Sequence, residues 1–337
     1  MARYAKSSRL ARGRFYNHFW MSIFFLGVLV ALSALYYATL KVDYVWRWYR
    51  IPQYFYYQEK EEVRAYTRGE VAEIILKGDE AILLVVGEGE RGEYRLPAEA
   101  LHAEKGDAVY PGDVLGAYRE PRVGILLIGL WMTLKVSLIA IFAGILIGLA
   151  AGLCRISSNP ALKWAAIAYI ELIRGSPLLV QIFIWYFVLG TLFNTLLAQA
   201  GFSQLSPIWY GVTSLAFFAG AYVAEIVRAG IQSIHRGQME AARSLGMSYS
   251  QAMKHIVLPQ ALRRILPPLA GQFISLIKDS SLLGLIAIRE LTKATREVVT
   301  TSLQPFELWF TCALLYLILT FSLSMFVQYL ERRAVLS

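Results

Sequence analysis

Lys278, Asp279 and Ser280 follow one another inside an otherwise apolar run, Ile265–Ile288, and Gln181 closes the polar stretch "RGSPLLVQ" inside another. A charge at the centre of a bilayer costs at least ~2.5–3.5 kcal/mol on insertion scales, so such groups face a bundle interior or a watery path. Counted from Arg264, Lys278 and Asp279 lie ~21–23 Å along a helix that rises ~1.5 Å per residue, in the outer half of the membrane. Adjacent residues do not face each other on a helix, so each needs its own partner, water or solute. Glu225 with Arg228 is spaced for an intrahelical ion pair, and Glu171 with Arg174 either for such a pair or, on one helical face with Leu178 and Gln181, for a direct role in transport. None of this is catalytic chemistry. No G-x-x-x-x-G-K-[ST] occurs, so the chain cannot cradle ATP phosphates in a P-loop. "GEGERG", Gly87 to Gly92, matches a dinucleotide fingerprint in form only. Its glutamates would repel a pyrophosphate and "EYRLP" after it opens no helix, so a hairpin loop is expected. No cofactor or metal is expected. Cys154 and Cys312 lie near or within apolar runs and imply no disulfide framework.

The elements that hold these residues are membrane spans. Of 337 residues 57% are hydrophobic and 17% charged, which excludes an ordinary soluble domain. Runs of roughly 20 apolar residues, enough to cross a bilayer, are found at Phe19–Leu40, Trp131–Leu153, Trp164–Phe193, Trp209–Val227, Ile265–Ile288 and Leu308–Leu330. The first is too long for a signal peptide and lacks a small-residue cleavage site, so it is read as an anchor. Pro177, with Gly175 and Ser176 before it, predicts a kink or break in the third run. Gly144, Gly148 and Gly152, at four-residue spacing, predict close helix packing in the second.

Net charge is +9, unevenly spread: residues 41–122 hold 12 Lys/Arg against 16 Asp/Glu. The positive charge sits beside spans, before the first and around 228–264, and this argues against nucleic-acid binding. Cytoplasmic loops carry the excess of Lys and Arg. Both termini and the 228–264 loop are therefore expected in the cytoplasm and 41–122 outside, with Arg289, Lys293 and Arg296 as an exception partly balanced by Glu290 and Glu297. The outer segment reads as β-rich: Glu70–Leu76 and Ala81–Val86 flank a Lys77-Gly78-Asp79 turn, and "GDAVYPGDVLG" repeats a Gly-Asp-apolar unit.

Between two spans lies the polar island "EAARSLGMSYSQAMKHIVLPQ", Glu240 to Gln260. Capping chemistry predicts its shape. Gly237 ends the preceding helix, Gln238–Leu245 makes two turns, and Gly246 suits a left-handed cap. Ser248 and Gln251 form a capping box for a second short helix to about Val257, and Pro259 fits the start of the next. The result is an elbow whose Ala241 and Ala242 offer a flat contact surface, with Glu240 and Arg243 fixing register by charge.

Glu240-Ala241-Ala242, Gly246, Ile256 and Leu258-Pro259 reproduce the EAA-x3-G-x9-I-x-LP signature, and the chain resembles the permease subunits of binding-protein-dependent ABC importers. "ELIRGSPLLVQIFIWYF", "AYVAEIVRAGIQSI" and "SLIKDSSLLG" resemble the polar amino-acid uptake branch in particular. The resemblance covers about residues 124–333. The resemblance implies the five-helix permease core. In the anchor and the insert read above the chain departs from the family, whose members commonly have little ahead of the core. With them the expected fold is an all-α membrane protein: a polytopic bundle of about six spans, one anchor plus a five-helix permease core, with a small external β-rich insert. The expected partition is 1–18 basic cytoplasmic N-terminus, 19–40 anchor, 41–122 insert and 123–337 permease core with the coupling loop at 237–260. It implies a multi-pass transport subunit, not an enzyme, in the bacterial cytoplasmic (inner) membrane. Its implied partners are an ABC ATP-binding subunit, an external solute-binding protein and a second permease copy. The signature residues would form the coupling helix, and a zwitterionic amino acid would meet Gln181, Lys278, Asp279 and Ser280 along the path. An ion-coupled secondary transporter is one alternative, although only one interrupted helix is evident where paired repeats are expected. A sensor or assembly module working through 41–122 is the other.

Overall fold

A computed structural model describes residues 2–87 and 89–336, with side chains described for 16–87 and 89–329. Helix α1, Ala2–Lys41, belongs to a separate compact unit that ends at Tyr49. At its end Trp46 Nε1 donates to Thr39 Oγ1 at 3.1 Å and stacks on Trp48. Such aromatic clusters suit a membrane–water interface.

The second unit begins with a β domain. Strands β1 (Tyr56–Arg64) and β6 (Val114–Val123) pair antiparallel from Tyr56↔Val123 to Val63↔Gly116, forming a two-stranded ribbon. Four more strands, β2 (Gly69–Lys77), β3 (Glu80–Val86), β4 (Arg91–Pro97) and β5 (Ala108–Val109), form a sheet ordered β4-β3-β2-β5. The Lys77-Gly78-Asp79 turn joins β2 to β3 with Gly78 at φ +66°, and β3 and β4 alternate buried and exposed side chains as a half-buried sheet must. "GEGERG" runs from the β3–β4 connection into β4; its Glu88 lies outside the described residues. The Gly-Asp repeat has a local cause. Gly106 and Gly112 take left-handed φ, and each following Asp accepts a backbone N–H three residues back: Asp107 from Glu104 at 2.7 Å, Asp113 from Tyr110 at 2.8 Å. Tyr94 reaches across the buried core of Val71, Leu83, Val85 and Leu96, and its hydroxyl accepts from the amides of Tyr66 and Thr67.

The helical core follows directly, for Gly124 alone separates β6 from α2, Ile125–Arg155. Then come α3 (Pro160–Arg174), α4 (Leu178–Phe183), a π-helical stretch Ile184–Gly190, α5 (Thr191–Gln199) and α6 (Pro207–Gln232). The elbow holds α7 (Arg236–Ser244) and α8 (Tyr249–Ala252), and a π turn Met253–Val257 leads into α9, Leu258–Asp279. A 3-10 turn Ser280–Ile286, α10 (Leu291–Ser302) and α11 (Pro305–Leu336) complete it. Among the described residues, six helical stretches are long and apolar enough to cross a membrane, at 16–41, 125–155, 178–199, 207–232, 249–286 and 305–329. The third differs from the sequence reading of 164–193. Pro177 does more than kink one span: it ends α3 and starts α4, so the crossing segment begins at Leu178.

The glycine stripe packs α2 on α6. A Cβ at Gly144 would come within 2.9 Å of the Ala219 methyl, at Gly148 within 2.4 Å of Val223, and at Gly152 within 2.9 Å of the Ala224 carbonyl. Those distances are too short for any other residue, which is how small side chains let two backbones approach.

Candidate functional site

The elbow is built almost wholly by local hydrogen bonds. His235 caps α7, its Nδ1 accepting from Gly237 N at 3.1 Å. Gly237 therefore sits inside α7, and the sequence assignment of Gly237 as the end of the preceding helix is corrected: α6 stops at Gln232. Gly246 takes φ +85°. Its N–H donates to Arg243 O at 3.0 Å and Met247 N–H to Ala242 O at 3.2 Å, the paired bonds of a Schellman cap. Ser248 and Gln251 form the reciprocal capping box, with Ser248 N to Gln251 Oε1 at 2.8 Å and Gln251 N to Ser248 Oγ at 3.3 Å.

Two details differ from expectation. The Schellman turn folds the chain back over α7, so Ala242 is buried against its own chain and the exposed alanine is Ala241; Glu240 and Arg243 are exposed beside it. The second short helix does not stop before Pro259. Leu258 keeps helical φ/ψ, and the π turn Met253–Val257 lies where the missing proline N–H opens the backbone ladder. Ile256 and Leu258 are half-buried and Pro259 exposed.

Above the elbow, Glu225 of α6 gathers three guanidinium groups: Arg228 at 2.8 Å, Arg155 of α2 at 2.5 Å and Arg174 of α3 at 3.8 Å. The Arg155 contact is close but not aligned as a hydrogen bond. Glu225–Arg228 is the expected intrahelical pair. Glu171 and Arg174 do not make the intrahelical pair that their spacing allows; Glu171 meets Arg155 at 3.7 Å. The break at Gly175–Pro177 and the arrival of α2 give each a partner on another helix. Arg155 is the residue that sequence reasoning missed, since its partner is 70 positions away and only packing brings them together.

The four polar residues of the membrane core divide into two kinds. Gln181 is buried, and its Nε2 donates to Ile173 O (2.7 Å), Ser176 O (3.1 Å) and Ser176 Oγ (3.0 Å) across the Pro177 break. Its Oε1 is buried and unpartnered among the described residues. Ser280 is buried and donates to Ile277 O at 2.7 Å. Lys278 is exposed and Asp279 half-buried at the end of α9, and the structure gives neither a hydrogen bond nor an ion pair among the described residues.

Glu290 was read only as a balancing charge. It is the buried N-cap of α10, accepting from Thr292 N at 2.8 Å, Lys293 N at 2.7 Å and the Tyr316 hydroxyl of α11 at 3.0 Å. Burial pushes its carboxyl above the usual range, opposed by those donors. Glu297 does balance charge, meeting Arg289 at 2.8 Å and Lys293 at 3.8 Å.

The described residues thus hold a capped elbow between two candidate spans, beside a helical bundle with polar groups in its core. Residues 144–335 match the family of binding-protein-dependent transport system inner membrane components, and this chain belongs to that family. It is an inner-membrane, multi-pass permease subunit of the ABC importer type, and not itself an enzyme. It is 43% identical over 205 residues to the probable glutamine ABC transporter permease protein GlnM of Bacillus subtilis (strain 168), covering 61% of this chain and 91% of that protein. Against the glutamine transport system permease protein GlnP of Escherichia coli (strain K12) identity is 38% over 213 residues, covering 63% and 94%. A crystal structure of an amino acid ABC transporter with histidines aligns with TM-score 0.55 and 39% identity, over 62% of this chain and 94% of that one.

Proposed function

We propose that this chain is the permease subunit of an ATP-driven importer of polar amino acids, with glutamine-like substrates foremost. The elbow at 237–260 is its contact with a separate ABC ATP-binding subunit. The observation that carries this is the elbow's construction: a Schellman cap at Gly246 and a capping box at Ser248–Gln251 hold Glu240, Ala241 and Arg243 outward on a rigid turn. A surface fixed by backbone bonds can transmit a push, because its conformation is not lost on docking. ATP need only favour one global state of the assembly over the other for closure of the ATPase to drive alternating access. Ala242, Ile256, Leu258 and Pro259 set the shape behind that surface.

The substrate class is supported by the two relatives above, both glutamine permeases by name. Lys278 and Asp279, which make no hydrogen bond or ion pair among the described residues, are assigned to the path, where a zwitterion offers both signs of charge. Gln181 and Ser280 spend their hydrogen bonds on the helix break and helix end beside it. A solute-binding protein outside and a second permease copy, identical or not, complete the assembly. The charge pattern supports both termini and the elbow in the cytoplasm, with the anchor at 19–40, the β-rich insert at 41–122 outside and the permease core at 123–337. A cysteine at the exposed Gly89 should label from outside intact spheroplasts.

The test is uptake by proteoliposomes holding the chain with its ATP-binding subunit. Glutamine accumulation that requires ATP and the partner is expected. Accumulation driven by an ion gradient with the chain alone would establish secondary transport instead.

A further inference from the structure

Between α3, α6 and α9 lies an open cleft of about 500 Å³. Its lining carries three guanidinium groups, Arg174, Arg228 and Arg264, and one carboxylate, Glu225, beside Tyr222, Ile226 and Pro268. The charge does not cancel. Arg155, Arg174 and Arg228 share Glu225 and Glu171, whereas Arg264 has no acidic partner among the described residues and donates only to the Ser233 carbonyl, at 2.6 Å. Three arginines thus line the cleft with one carboxylate, Glu225. Arg174 also lies over the Tyr222 ring, 5.4 Å from its centroid.

Position decides what kind of anion fits. Arg228 lies one turn before the end of α6 and Arg264 two turns into α9. They flank the apolar runs Trp209–Val227 and Ile265–Ile288, so the cleft lies at the edge of the apolar stretch. A cationic rim over an aromatic and aliphatic wall, open at the level of the headgroups, matches a phosphate joined to an acyl chain. Basic pockets between spanning helices have this character.

We propose that this cleft binds one anionic phospholipid, its phosphate between Arg264 and Arg174 and its upper acyl chain along Ile226 and Pro268. The site is separate from the polar residues 278–280 and does not depend on which solute is carried. A lipid held there bridges α3, which precedes the Pro177 break, to α9, which continues from the elbow.

The experiment uses the full-length chain in nanodiscs of equal phosphatidylglycerol and phosphatidylcholine, with retained lipid read by native mass spectrometry. Arg264→Gln, Arg174→Gln and the double variant are compared; Arg155 and Arg228, the two closer partners of Glu225, are left intact. One molecule of phosphatidylglycerol should be retained in preference to phosphatidylcholine. Each substitution should weaken that preference about fivefold, as expected for one surface arginine near an anionic lipid. Equal retention of the two lipids, or a preference unchanged in the double variant, overturns the proposal. Displacement of the lipid by inorganic phosphate alone would show that the site reads free phosphate, and displacement by glutamine would make it part of the path. Loss of the lipid on assembly with a second permease copy would make the cleft a subunit interface. Thermal unfolding in phosphatidylcholine alone checks that the variants fold.

Discussion

Substitution of Gly246 isolates the elbow's backbone from everything else. At φ +85° the residue lies in the left-handed region, and nothing lies within 4 Å of a Cβ placed there. Side-chain clashes with neighbours therefore contribute nothing, and the whole cost is the local contact between Cβ and backbone, roughly 1–2 kcal/mol for an L-residue. Asparagine, which visits this region readily, should cost least, alanine more, and β-branched valine most. A loss of 1–2 kcal/mol shifts the ratio of capped to frayed elbow by a factor of about 5–30. Apparent affinity for the ATP-binding subunit falls with the fraction still capped. The assay is capture of the ATP-binding subunit by each variant in nanodiscs, with membrane insertion monitored in parallel. Binding should weaken in the order Gly, Asn, Ala, Val while insertion stays constant. Valine binding as tightly as glycine, or asparagine failing as badly as valine, would refute the argument from backbone conformation.

Four further outcomes are expected. Gly148→Ala should destabilise the core by about 1–3 kcal/mol through overpacking against Val223, whereas Gly271→Ala, with nothing within 4 Å, should be neutral or better; denaturation in mild detergent compares them. Glu225→Ala leaves three guanidinium groups without their shared carboxylate and should cost about 3 kcal/mol, the lower end for buried pairs because Arg228 is 30% exposed. Glu171→Ala, at 62% exposure, should cost under about 1 kcal/mol in the same assay. Glu290 has a raised folded-state pKa, so its contribution is fully present below the unfolded pKa and lost as pH rises through the folded one; Glu290→Gln should flatten the fall in thermal stability between acid and neutral pH, and an unchanged slope would remove Glu290 as its source. Asp279→Asn should lower uptake of cationic amino acids selectively if the residue lines the path. An unchanged substrate profile, with the Lys278/Asp279 double neutralisation more stable than either single variant, would make the pair structural.

What was legible in the sequence was the chemistry that closes within a few residues. Gly246, the Ser248–Gln251 box, the Gly78 turn and the Gly-Asp repeat each satisfy backbone groups two to five positions away, so residue type and spacing suffice. The stripe Gly144, Gly148, Gly152 was legible as a packing face, although not which helix it meets. Long-range pairings were not legible. Arg155 finds Glu225 only because the glycines bring α2 onto α6, and Glu171 and Arg174 do not make the pair their spacing allows because the Pro177 break turns them toward other helices. Glu290 looked like a loop charge, since nothing local reveals that Tyr316 of α11 will bury it. Gly237 misled because glycine reads as a terminator, while His235 two residues earlier supplies a cap that lets a helix start there.

The most direct measurement places a photo-cross-linker at Ala241, the exposed alanine of α7, in the transporter assembled in its membrane. Irradiation should join this chain to the ATP-binding subunit, and the yield should change when ATP is added, because the elbow moves with its partner. A product with the solute-binding protein, or none with the ATP-binding subunit under any nucleotide condition, would contradict the assignment of the elbow as the coupling contact.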